Sequence, residues 1–139
     1  AGVTHTIEIG TLYGAAGEGK ISSAARADYA EAAANVLTTS GHENKTYELA
    51  GSISFTLADL ASDIANVSGK EITYQNLSAE DYTQALTQAG LPAGLVDIIV
   101  DADIQTEKGA MFSDSKDLEQ LIGHPTTAIK EQVAAILKA

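Results

Sequence analysis

The stretch Gly14–Leu37, GAAGEGKISSAARADYAEAAANVL, constrains the fold more than any other part of the sequence. It begins as a glycine-rich turn, passes through a short β-like segment and ends in an alanine-rich helix. Its opening matches G-x-x-x-x-G-K, with Gly14, Gly19 and Lys20 where a phosphate-binding loop has them. That loop also needs a Ser or Thr directly after the lysine to hold Mg²⁺, and a helix starting there to aim its amides at phosphate. Ile21 follows Lys20 instead, and Ile21-Ser22-Ser23 reads as strand or turn. The residues favour a hairpin loop in which Gly14, Gly17 and Gly19 supply positive φ angles.

The other elements follow from hydrophobic spacing. Residues 1–10 carry Val3, Ile7 and Ile9, compatible with the tail of a helix or a short strand. A first clear helix covers about Ala27–Thr38, with Ala30, Ala33 and Ala34 small enough to approach a sheet and Tyr29, Val36 and Leu37 completing the buried surface. Gly41 is its expected stop. Lys45–Ala50 is the best strand candidate, since Tyr47 and Leu49 alternate with Thr46 and Glu48. Thr56–Asp59 has the form of a capping box, and Leu57, Leu60, Ala61, Ile64 and Val67 recur at helical spacing up to Gly69. Lys70–Asn76 predicts a second strand with Ile72 and Tyr74 on one face. Ser78–Asp81 opens a helix whose stripe is Tyr82, Ala85, Leu86 and Ala89. Pro92 starts the most apolar helix, Leu95–Val100. Asp101–Met111 reads as an exposed loop. A short helix bears Leu118, Leu121 and Ile122, and Thr126 or Thr127 caps a last one with Ile129, Val133, Ile136 and Leu137. Strands alternate with helices early and the chain is purely helical late, which predicts an α/β protein with a helical appendage.

Charge and composition exclude several functions. The 139 residues suffice for one domain with a core. A net charge of −11 repels a phosphate backbone, so nucleic acid and anionic membrane are poor partners. No apolar run approaches the ~20 residues that cross a bilayer. With no cysteine, disulfides, thiolate metal sites and cysteine catalysis are out together. No leader is visible, and the sequons at Asn44, Asn66 and Asn76 read as chance, so the expected location is cytoplasmic.

Few residues point to chemistry. No Tyr-x-x-x-Lys pair, HExxH spacing or G-x-S-x-G elbow occurs, and His42 and His124 fall at helix ends, where imidazole caps or packs. Asp101, Asp103, Asp114 and Asp117 fail as an EF-hand, because Thr106 and Phe112 occupy its sixth and twelfth positions, and they read as a solvated acidic face. No catalytic or metal-binding residue is therefore assigned. Arg26, the chain's one arginine, stands out: its fork could grip a phosphate or carboxylate in a cleft, or pair at the surface with Asp28 or Glu18.

Five segments in order, GAAGEGKISSAARADY, KTYELAGS with FTLADLA, SGKEITYQNLS, and DSKDLEQLIGHPTT, resemble the second half of the NmrA-like atypical short-chain dehydrogenase/reductase family, nearest to its NAD(P)H-dependent quinone oxidoreductase branch. The resemblance covers nearly the whole chain. It implies the C-terminal portion of a Rossmann-like α/β fold, a few strands plus a helical substrate-side lobe, with residues 1–139 as the substrate-binding portion. No strand-G-x-x-G-x-x-G-helix unit is present, so the dinucleotide-binding N-terminal half is expected to lie outside this chain. The family role implied is reduction of quinones or similar small carbonyl compounds by NAD(P)H, with the piece inactive alone and binding no coenzyme tightly. A dinucleotide-sensing regulator is the alternative, and a self-sufficient interaction module a third. By the same resemblance Tyr13, Gly14, Ala15, Ala16 and Arg26 border the substrate or coenzyme crevice. The expected partners are a small-molecule substrate, the missing half and, through unpaired strand edges, other copies of the chain.

Overall fold

The computed structural model describes residues 2–138. In chain order the elements are α1 (Val3–Ile9), β1 (Thr11–Gly14), α2 (Arg26–Thr38), α3 (Leu57–Ser68), β2 (Thr73–Asn76), α4 (Ala79–Gln88), α5 (Ala93–Glu107), α6 (Asp117–Ile122) and α7 (Ile129–Lys138). The two strands pair in parallel, with Thr11 opposite Thr73 and Gly14 opposite Asn76. Everything from α2 to α3 is crossover between them, as parallel neighbours require. The α/β class with a helical second half is borne out.

Local signals set the helix ends. Thr56 accepts from the Asp59 amide and Asp59 accepts from the Thr56 amide, a complete capping box for α3, and Gly69 closes the helix at φ 70°. Ser78 accepts from the Asp81 amide at the start of α4, and Pro92 precedes α5 in extended conformation.

The buried side chains fall into three clusters. Ala61, Ile64, Ile72 and Val133 join α3, β2 and α7, with Val3, Ile7 and Leu12 packed on them. Tyr82, Val96 and Val100 join α4 to α5 and reach Ala15. Ala32, Leu118 and Ile122 join α2 to α6. Polar contacts sew the clusters together. Ser22 is a junction: its amide donates to the Met111 carbonyl, its carbonyl accepts from the Gly51 amide, and its hydroxyl accepts from the Ser113 amide. Asp28, buried on α2, accepts from both the amide and the hydroxyl of Thr127, tying the approach to α7 back onto α2. Beside it His124 reaches Glu31 at 2.9 Å and the Pro125 carbonyl at 2.8 Å.

Several expectations are corrected. Gly14–Lys20 is no hairpin loop: β1 pairs with β2, Ile21 makes a single antiparallel bridge to Phe55, and of the three glycines only Gly17 has positive φ. Gly14 and Gly19 are glycine because there is no room. A Cβ at Gly14 would lie 2.8 Å from Leu57, and one at Gly19 would collide with the Thr106 carbonyl. Among the described residues Lys45–Ala50 forms no strand; the Asp117 carboxylate and the Ser115 hydroxyl bind its backbone at Glu48 instead. On α2 the buried line is Asp28 and Ala32 against α6, whereas Ala30, Ala33, Ala34 and Leu37 face solvent. Helix α5 continues through the supposed loop as far as Glu107. Thr126 and Thr127 are engaged with Ser52 and Asp28, so the capping role expected of their side chains is not what they do.

Two outcomes follow. Thr56→Ala removes one half of the capping box and is expected to lower stability by about 1 kcal/mol, read as a lower urea midpoint with unchanged slope. Both partners of the His124 ring, a carbonyl and a carboxylate, only accept, so the contacts favour the imidazolium. The Pro125 carbonyl first, and Glu31 with it, hold its pKa above the ordinary 6.5. A raised folded pKa means the contribution is fully present below 6.5 and lost as pH rises through the folded value. His124→Gln should therefore melt below wild type at pH 6 and together with it at pH 9; equal melting at both would show the contact carries no stability.

Candidate functional site

The parallel strands end side by side at the turn Gly14–Gly19, where a crevice is expected. In open α/β sheets ligands bind outside the carboxyl ends of the strands, because the turns leaving them diverge. Here β1 leads directly into the turn Gly14–Gly19, and β2 ends beside it at Asn76. The Ala15 amide donates to Asp103 Oδ2 on α5 at 2.8 Å. The Gly17 amide donates to Asn76 Oδ1 at 3.0 Å, and the Tyr74 hydroxyl donates to the same oxygen at 2.9 Å. The Gly19 amide donates to the Ala16 carbonyl at 2.8 Å. A helix on one side and a strand end on the other thus hold the turn in one shape.

The titratable groups around it are perturbed. Burial raises the Asp103 carboxyl above its usual range, opposed by the hydrogen bond from Ala15. Burial pushes the Tyr82 phenol up to about 12, and the Asp103 charge adds to it. Tyr74 is raised as well, again chiefly by burial. At neutral pH both phenols are therefore protonated donors beside a carboxylate. Tyr82 is itself buried between α4 and α5, and the Tyr74 hydroxyl is engaged with Asn76, so these phenols hold the turn in place.

The residues expected from the sequence lie as follows. Gly14, Ala15 and Ala16 are buried in the turn itself. Tyr13 projects from β1 and is 43% exposed. Arg26 opens α2 at the surface, where that helix packs on α6, and among the described residues it makes no ion pair. Asp28, one partner considered for it, is buried and occupied by Thr127. The structure thus brings Gly14–Ala16 together with Tyr74, Asn76, Tyr82 and Asp103, whereas Tyr13, opposite Gln75, alternates to the other strand face and Arg26 opens α2. Sequence reasoning missed Asp103. Its signal was present: Val96, Val100 and Asp103 fall at i, i+4 and i+7, so the acid continues a buried apolar stripe.

A separate cleft of about 400 Å³ opens between the 52–55 segment, the start of α3 and the approach to α7, lined by Ser52, Phe55, Asp63, Thr126 and Ile129 among others. None of the expected site residues lines it.

No protein-family profile matches the chain. It is 52% identical over 134 residues to quinone oxidoreductase 2 of Escherichia coli (strain K12), covering 96% of this chain and 47% of that protein. The solved structure of the Escherichia coli NADPH-dependent quinone oxidoreductase complexed with NADPH superposes with a TM-score of 0.92 at 51% identity, over 97% of this chain and 48% of the other. The Citrobacter triphenylmethane reductase does so with a TM-score of 0.94 at 37% identity, over 99% and 47%. The chain spans about half the length of the relatives it matches. With the parallel pair, the crevice turn and the helical lobe in place, the chain belongs to the NmrA-like atypical short-chain dehydrogenase/reductase family and corresponds to the C-terminal portion of its Rossmann-like fold.

Proposed function

We propose that this chain is the substrate-side half of an NAD(P)H-dependent oxidoreductase that reduces quinones or similar small carbonyl compounds. The observation that carries the reading is the match, over 97% of the chain, to a quinone oxidoreductase solved with NADPH. The crevice geometry agrees with it. The amides of the G-x-x-x-x-G-K turn at Ala15, Gly17 and Gly19 each already meet an acceptor within the chain, so these three are not free to cradle a phosphate. The coenzyme phosphates therefore belong to residues outside these 139, and the chain alone binds coenzyme weakly.

The nicotinamide supplies the hydride when bound. The chain's own residues shape the place where the acceptor lies. The rigid turn walls one side, and the α4–α5 pair, anchored through Tyr82, Val96 and Val100, backs it. Their contribution is to orient a substrate and keep water out.

The exposed apolar side chains fit a second part of the proposal. Leu37 is 85% exposed, Ile53 80% and Ile98 68%. The solvent-facing alanines of α2 and the unpaired 45–50 segment are the kind of surface that a further sheet layer covers. The missing Rossmann half is that layer, and without it the chain self-associates.

Both parts can be tested. Sedimentation velocity of the chain should show concentration-dependent association; one monomeric species throughout would refute the second. A chimera carrying the N-terminal half of the Escherichia coli relative ahead of this chain should oxidise NADPH in the presence of 1,4-benzoquinone, whereas the chain alone should not. A folded chimera that binds NADPH and leaves benzoquinone unreduced would sink the reductase reading and favour a coenzyme-sensing regulator.

A further inference from the structure

The turn after β1 has the outline of a phosphate loop and the opposite electrostatics. In an anion-binding turn, convergent amides face a ligand that carries negative charge. Here the leading amide, that of Ala15, points at a carboxylate of the protein itself, delivered by α5 from 88 residues away in sequence. Glu107, one turn further along α5, stands over Gly17, where a Cβ would lie 2.7 Å from its Oε1. Two acids of one helix thus face the turn. The groups facing Asp103 from the other elements are the phenols of Tyr74 on β2 and Tyr82 on α4, neither of which neutralises it.

We propose that Asp103 is the positioning and specificity-determining residue of the crevice: it locks the Gly14–Gly19 turn in shape and occupies its anion position, so that the turn accepts an uncharged part of a ligand and rejects a phosphate. The proposal rests on the reading that the crevice admits substrate, and adds which chemistry that wall selects. A phosphate at the turn would stand within a Debye length, ~8 Å at physiological salt, of both carboxylates, so their repulsion would be largely unscreened. An uncharged aromatic or carbonyl compound meets no such barrier. The same contact couples the turn to α5, so the wall moves with the α4–α5 pair rather than with α2.

The test uses the ¹⁵N-labelled 139-residue chain and the variants Asp103→Asn, which keeps an acceptor without charge, and Asp103→Leu, which keeps neither. In Asp103→Leu the Ala15 amide should exchange at least about tenfold faster, and in Asp103→Asn within about threefold of wild type, with α3 amides unchanged in both. In wild type the Ala15 amide shift should follow a carboxyl titrating above 3.8, and it should be flat in Asp103→Asn. Inorganic pyrophosphate should leave the residue 14–19 amides of wild type unshifted. Saturable pyrophosphate shifts at Ala15 and Gly17, or Ala15 exchange unaltered in Asp103→Leu, would overturn the proposal. Should Asp103→Leu fail to fold, an Ala15 titration that persists in Asp103→Asn would overturn it equally. These readouts do not depend on turnover by the chimera, so failure of the reductase reading and failure of this one are separable.

Discussion

Two short parallel strands cannot stand by themselves. A parallel pair is less stable per residue than an antiparallel one, and it persists when both faces are covered. In this chain the pairing of Thr11–Gly14 with Thr73–Asn76 holds because α3 packs against both strands, with Leu12, Ile72 and Tyr74 in the same cluster as Ile64 and Val133. The C-terminal end of the pair then places Gly14 and Asn76 side by side. The crevice exists because of that register: a shift of one residue would carry Asn76 away from Gly17 and turn Tyr74 to the other face.

Three modest clusters in place of one continuous core explain why polar contacts matter so much here. A domain of this size ordinarily builds one contiguous core. Asp28 with Thr127, and Ser22 with Met111, Gly51 and Ser113, bridge parts of the chain outside any one cluster, and Asp103 with Ala15 adds a polar contact at the edge of the α4–α5 cluster. Such bonds contribute little each when solvated, but leaving a buried partner unsatisfied is expensive. They specify how the clusters sit more than they stabilise them.

The sequence made the helices legible where capping and stripe agreed. Thr56, Asp59 and Gly69 bound α3 as expected, and Ser78 opens α4. What could not be read was pairing. The alternation in Lys45–Ala50 is real, and so are the small residues of α2, yet each needs a sheet neighbour that these residues do not find within the chain. The glycines of the turn misled for a related reason. Two of the three are there for close approach to Leu57 and Thr106, and contacts so distant in sequence leave no local mark. In α5, the three acids Asp101, Asp103 and Glu107 looked like loop, although Ile104 and Thr106 kept the helical stripe going.

Asp103 shows why the site was harder to see than the fold. Its folded pKa is raised, so the fold favours its protonated form; the associated stability is present below 3.8 and lost as pH rises through the folded value. At neutral pH the ionised carboxylate is therefore a burden on folding, only partly offset by the Ala15 amide. Perturbed groups of this kind concentrate in clefts, which is why the proposal above turns on Asp103. Periodicity identifies the position as buried. Only the three-dimensional placement of Gly14–Gly19 shows which amide the carboxylate meets.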